Sequence, residues 1–174
     1  MNLSLGVEIE IPAKVEQEGT LAISGNALAS VFTNIVQKEN IILTGEEGNL
    51  SIKTKKNKIK LKGMSYEDFP TIPNVSGESF EIESKKLVEG IKAVYYSASP
   101  SDIKPEISSV YIYSENDNLV FVSTDSFRLA EKKIKLKKNI EDFNILIPFK
   151  NIGEILRVLG EGNQNVKVCF NKNK

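Results

Sequence analysis

The chain has 174 residues, is 40% hydrophobic and 26% charged, and carries 23 basic and 23 acidic residues for a formal net charge of zero. That is an ordinary globular composition, enough for one full domain or parts of two. Its neutrality excludes a compact domain that grips nucleic acid by charge alone, the absence of histidine excludes histidine-based triads and the commonest metal ligand, and a single cysteine, Cys169, excludes an intramolecular disulfide.

Nothing at the start reads as a secretory signal: Met1-Asn2-Leu3-Ser4 has no basic region and no long apolar run follows it. No stretch nears the ~18 apolar residues of a membrane span. A cytoplasmic location is the expectation. The only arginines are Arg128 and Arg157. Lysine is a mobile point charge, poorly suited to reading base edges with paired donors, so sequence-specific DNA recognition is not expected.

Taken in chain order, Leu3-Leu5-Val7-Ile9-Ile11 alternates and predicts a strand. Leu21-Ala22-Ile23 predicts a short strand, and Ser24 a helix N-cap, with helical apolar spacing through Leu28 and Phe32 to Ile35. Strands follow over Asn40–Thr44, Leu50–Thr54 and Lys58–Leu61, with a Gly45–Asn49 turn between the first two. Pro, Gly and Ser cluster from Pro70 to Gly77 and predict a linker. Phe80-Glu81-Ile82 then repeats the strand, with Ser84 as N-cap and Leu87, Ile91 and Val94 as the helix stripe. Val110–Tyr113, Leu119–Ser123 and Phe127–Leu136 complete a second meander around a Ser114–Asn118 turn. Ile145-Leu146-Ile147 opens a third copy, with Pro148 at the helix start, Ile152, Leu156 and Leu159 in its stripe, and Gly160 as its stop. Cys169 stands in the alternation Val166–Phe170 and is expected to be a small strand residue of the buried kind.

The three strand–helix segments share one pattern. Each alternating run ends at an isoleucine, and apolar residues return five, nine and twelve positions later. The period changes from two to between three and four, which is the change from strand to helix. A repeated unit of this kind cannot cover its helix and both sheet faces alone, so neighbouring units must pack together. The organisation expected is α+β: repeated strand–helix–β-meander units with helices on one face of antiparallel sheets, and both chain ends cut inside a unit.

Lys53, Lys55, Lys56, Lys58, Lys60 and Lys62 resemble a basic patch, but strand spacing puts Lys56, Lys58, Lys60 and Lys62 opposite Ile59 and Leu61. A solvated or protected strand edge is the better reading. Glu46-Glu47 and Glu141-Asp142 lie in turns without a convergent partner. No phosphate loop, metal cluster or nucleophile motif stands out, so an enzyme is not expected.

Two motifs carry a resemblance. Glu67-Asp68-Phe69-Pro70 and the seven-residue Thr124-Asp125-Ser126-Phe127-Arg128-Leu129-Ala130, set within these repeats, resemble the DFP and TDxxRLA elements of bacterial DNA sliding clamps, the beta subunits of the replicative polymerase. Ile147-Pro148-Phe149-Lys150 and Lys104-Pro105-Glu106-Ile107 resemble further segments of that family. The resemblance implies the DNA clamp (processivity) fold. It places residues 1–70 in the later half of a first clamp domain, 71–77 in a linker and 78–174 in most of the second, with the third domain absent. It implies a ring of two protomers that encircles duplex DNA and holds polymerase subunits and the clamp loader through short peptide motifs, with no cofactor or metal. It implies a partner-peptide pocket at Ile107, Thr124, Ser126, Phe127, Arg128 and Leu129. Phe127 stands where the family often has histidine, which widens the apolar wall. Helix faces opposite the apolar stripes would present Lys85, Lys86, Lys92, Lys150 and Arg157 to phosphates.

Overall fold

The computed structural model describes residues 5–35, 39–67, 69, 72, 75, 77–101, 103–136, 142–160 and 162–170. Leu3, Asp68, Pro70, most of the expected linker and Glu141 lie outside the described residues. The chain divides into two compact units, Met1–Pro73 and Asn74–Lys174.

In the second unit, β6 (Glu78–Glu83) leads into α2 (Ser84–Val94), a 3-10 turn (Tyr95–Ser97), β7 (Ser109–Glu115), β8 (Asn118–Thr124) and β9 (Leu129–Lys135). Then come β10 (Asn144–Pro148), α3 (Phe149–Leu159) and β11 (Asn165–Phe170). One sheet has the order β10-β7-β8-β9, and β11 pairs with β6 in another. Every pairing described in this unit is antiparallel. The connectivity is an exchange. The strand before α2 pairs with the strand after α3, and the strand before α3 pairs with the strand after α2. Two strand–helix–strand segments thus complete each other about a pseudo-twofold relation, and their helices α2 and α3 pack together.

The core follows from the two periods. Leu87, Ile91 and Val94 project from one side of α2 onto Val110, Ile112, Leu119 and Phe121 of the sheet, and Ile152 of α3 joins them. Phe121 is fully buried, and its ring lies against Gly90: a Cβ there would fall inside van der Waals contact with Phe121 Cε2 and Cζ. Helix and sheet therefore approach closely at the one position in α2 that lacks a side chain.

The first unit holds β1 (Ala22–Ile23), α1 (Gly25–Thr33), β2 (Ile42–Glu46), β3 (Asn49–Lys53), β4 (Lys58–Leu61) and β5 (Gly63–Met64). β2-β3-β4 form an antiparallel meander and β1 pairs with β5. The β2–β3 turn is Glu47-Gly48, both at positive φ (50° and 76°), the conformation a two-residue hairpin demands. On β4, Lys58 and Lys60 are exposed while Ile59 and Leu61 are half-buried, as the alternation predicts.

Four expectations need correction. Leu5 makes an isolated bridge and Gly6–Val15 forms no strand; Val7, Ile9 and Ile11 are exposed. Alternation makes a strand only where a neighbour takes the backbone hydrogen bonds, and beyond the Leu5 bridge no ladder takes up this segment among the described residues. Ser24 sits at the N-cap of α1 but its side chain makes no capping bond. Ser84 is the first residue of α2 rather than its cap, which is Glu83. Fully buried, it donates its hydroxyl to the Leu159 carbonyl at 2.9 Å and its N–H to the Gln164 carbonyl at 2.9 Å. It ties the start of α2 to the end of α3. Ser84→Ala is expected to cost about 1 to 2 kcal/mol in urea unfolding, because the half-buried Leu159 carbonyl loses this partner. Lastly, Cys169 does lie in a strand but on its exposed side. Pro148 and Gly160 flank α3 as expected, Gly160 at φ 59°.

Candidate partner-docking site

The segment Thr124–Ala130 forms the turn of the β8–β9 hairpin. Thr124 and Leu129 are the last paired residues, and Asp125–Arg128 make the loop. The Asp125 carboxylate organises it. Oδ1 accepts from the N–H groups of Phe127 (3.1 Å) and Arg128 (3.0 Å), and Oδ2 accepts from Arg128 Nε at 2.9 Å. Thr124 Oγ1 accepts from Ser126 N at 3.1 Å and donates to the Arg128 carbonyl at 2.7 Å. Ser126 takes a φ of 77° to make the turn, a conformation costly for a side chain other than glycine.

The loop therefore satisfies its own polar groups, and its apolar groups point outward. Phe127 is 98% exposed and Leu129 66%. The loop thus holds an exposed phenylalanine in a fixed position, which lowers the ordering cost of any apolar contact made there. Ile107 lies just before β7. Tyr111 of β7 pairs with Val122 of β8, so the start of β7 is level with the end of β8, and Ile107 comes to the same end of the sheet as the loop. Ser99 N donates to the Ile107 carbonyl at 2.8 Å, and Phe149 N donates to the Ser108 carbonyl at 2.9 Å, bringing the start of α3 there too. Ile107 is half-buried.

Sequence reasoning gives Asp125 no role of its own. The signal was present: an aspartate two and three residues before the amides it accepts from is ordinary Asx-turn chemistry. Arg128, which the resemblance puts in the pocket, has its Nε committed to Asp125. The N–H of Arg128 first, then those of its neighbour Phe127 and the guanidinium, hold the Asp125 carboxyl below its usual value. A depressed folded-state pKa means that the carboxylate's contribution to loop order is complete above the unfolded-chain value of about 3.9 and is lost as pH falls through the lower folded value. The amide resonances of Phe127 and Arg128 are expected to stay constant down to pH about 4 and to move together only below it. A transition near neutral pH would contradict the assignment.

The cationic candidates divide. On α2, Lys85 and Lys92 are exposed and neither makes an ion pair among the described residues, whereas Lys86 is half-buried and pairs with Glu83 at 3.2 Å. On α3, Lys150 is exposed, and Arg157 is held by Glu154 at 2.8 and 2.6 Å. Nearby, Lys132 of β9 reaches Glu89 of α2 at 2.9 Å, and that hydrogen bond lowers the Glu89 pKa. Among the described residues no group of three or more metal-ligating side chains occurs, and no helix is long and apolar enough to cross a membrane.

Strand–helix–strand segments that exchange edge strands, with helices gathered on one side of antiparallel sheets, define an α+β fold of the sliding-clamp type. Solved clamps share it. A DNA polymerase III beta subunit from Thermotoga maritima superposes with a TM-score of 0.82 at 23% identity, over 92% of this chain and 44% of that one. A sliding clamp from Pseudomonas aeruginosa, solved bound to griselimycin, superposes with a TM-score of 0.81 at 22% identity, over 86% of this chain and 41% of that one. The family model described as DNA polymerase III beta subunit, central domain, matches residues 81–174. The chain belongs to the DNA polymerase III beta subunit family. Among curated relatives, the beta sliding clamp of Streptococcus pneumoniae serotype 4 is 30% identical over 99% of this chain and 48% of its own length. That of Staphylococcus epidermidis is 24% identical over 98% and 48%. The chain thus spans about half the length of the curated relatives it matches.

Proposed function

We propose that this chain is a segment of a replication clamp, a noncatalytic processivity factor that as a full ring of two protomers encircles duplex DNA and tethers polymerase subunits and the clamp loader by short peptide motifs. The observation that carries the reading is the self-braced TDSFRLA loop in a chain of the beta subunit family, with Phe127 and Leu129 exposed at its tip and Ile107 at the same sheet end. On this reading residues 1–70 are the later half of a first clamp domain and 78–174 most of the central one. Ile107, Phe127 and Leu129 supply apolar walls to the peptide pocket, while Thr124, Ser126 and Arg128 hold and orient its polar side. A closed ring holds DNA by topology, so zero net charge is no obstacle; a mildly basic lining suffices. Lys85 and Lys92 are the better phosphate contacts, because Lys86 and Arg157 already have acidic partners. Lys150 completes the candidate set. The site of use is the bacterial cytoplasm.

The test is fluorescence anisotropy with a labelled clamp-binding pentapeptide. Weak binding, no tighter than micromolar, is expected for this chain, weakened at least tenfold further by Leu129→Ala, with the circular dichroism spectrum unchanged. Submicromolar affinity, or indifference to Leu129→Ala, would place the pocket elsewhere. Retention of this chain by itself on circular DNA would contradict the ring reading.

A further inference from the structure

The sheet β10-β7-β8-β9 has two faces, and only one belongs to the core. Val110 and Ile112 of β7, Leu119 and Phe121 of β8 and Ile134 of β9 turn inward to pack with α2. The alternate residues turn outward. On β9 these are Glu131, Lys133 and Lys135, the polar set that a solvated sheet face carries. The other three strands break that rule. Their outward residues include Tyr111 and Tyr113 of β7, Val120 and Val122 of β8 and Leu146 of β10.

The strand register gathers these side chains. Leu146 stands beside Tyr111, Tyr111 beside Val122, and Val122 beside Glu131. Tyr111 and Leu146 are exposed, at 36% and 49%. The Tyr111 ring stacks on that of Tyr113 at a centroid distance of 5.1 Å, which holds it in place. Thr124 and Leu129 continue the same face. Thr124 lies two residues beyond Val122 on β8, and its ladder partner Leu129 lies two residues before Glu131 on β9. Leu129 is therefore a diagonal neighbour of Val122, within reach of a long side chain. An outward apolar strip runs from the docking loop at Leu129, by Val122 and Tyr111, to Leu146.

We propose that this strip is a second subsite of the docking site, and that its occupant is the stretch of the partner peptide next to the pocket motif, an extended segment carrying apolar side chains. The proposal rests on the docking reading given above. A peptide leaving the pocket at Leu129 meets the strip first at Val122. From β9 to β10 is three strand spacings of about 4.8 Å, or about 14 Å, which about four extended residues cover. Tyrosine suits such a contact, since its ring offers apolar area while its hydroxyl stays in water. The stacked pair has little freedom left to lose on binding. Partners are then told apart by residues outside the motif that they share.

Fluorescence anisotropy of the whole chain with three kinds of labelled peptide tests it. The first is the clamp-binding pentapeptide. The second is the same peptide lengthened at one end or the other by four residues that include two leucines, and the third has serines in place of those leucines. One leucine extension is expected to tighten binding about tenfold, as partial burial of two leucines implies, and its serine counterpart not at all. Leu146→Thr and Tyr111→Thr should each remove most of that gain and leave the pentapeptide affinity and the circular dichroism spectrum unchanged. Leu146→Thr, at the more exposed position, decides the matter if Tyr111→Thr unfolds. A pentapeptide that binds through Leu129 while neither leucine extension tightens it, or a gain that survives the variants, would overturn the second subsite and leave the pocket standing. Binding of no peptide would overturn pocket and subsite together. A chain that sediments as a dimer and returns to a monomer in Leu146→Thr would assign the strip to a second copy, which also overturns the proposal.

Discussion

Phe121→Ala is expected to destabilise the second unit by about 3 to 5 kcal/mol, the range for truncating a fully enclosed phenylalanine. The side chain is completely buried on β8 and faces α2, with Gly90 against its ring. It lies in the same cluster as Leu87, Ile91, Val110 and Ile112. These side chains come from a helix and two strands that cannot move independently, so the space left behind cannot collapse. That rigidity puts the cost high in the range. Hydrogen exchange at β8 amides is the suitable measurement, since it reports the second unit by itself. A loss under about 1 kcal/mol would mean that the ring is not the keystone of this packing.

The second large effect has a sign that depends on the first. Alanine is favoured over glycine inside a helix by about 1 kcal/mol, so propensity alone predicts that Gly90→Ala stabilises α2. The Phe121 ring forbids it: the new methyl would fall inside contact distance of two ring carbons. The helix must lift or the ring must leave its rotamer, at about 1 to 3 kcal/mol. Gly90→Ala is therefore expected to destabilise the wild-type unit. In the Phe121→Ala background the space is empty, and the same substitution should become neutral or stabilising. This reversal across a double-mutant cycle separates steric conflict from helix propensity. Additive effects would refute the close approach.

Much of this fold was legible because each local signal had a single physical meaning. The isoleucine that ends each alternating run, followed by apolar residues at helical spacing, predicted the core stripe of α2, and Ile82, Leu87, Ile91 and Val94 are all buried. Glycine and asparagine located the hairpins because Gly48 and Asn116 adopt positive φ there. What failed required knowledge of partners. Leu5–Ile11 alternates like a strand but, past the Leu5 bridge, joins no ladder among the described residues. Ser84 has the identity of a cap, yet its hydroxyl reaches a carbonyl 75 residues away. At the β8–β9 turn, the resemblance singled out Phe127 and Leu129, and both side chains are exposed there. The bracing by Asp125 emerged only from geometry, since an aspartate on a turn is equally ordinary in water.

The exchange of strands in the second unit also sets its kinetics. β6 pairs with β11, so their ladder joins two strands separated in sequence by α2, the whole β7–β8–β9 meander, β10 and α3. Such pairing must overcome loop-closure entropy before it gains any contact energy. The α2–β7–β8–β9 segment is contiguous and can organise early, with α3 arriving later. During synthesis, this ladder waits for Asn165–Phe170 to leave the ribosome, and until then β6 lacks its β11 partner. A ladder of such long range slows the folding of the unit relative to one built from neighbouring strands.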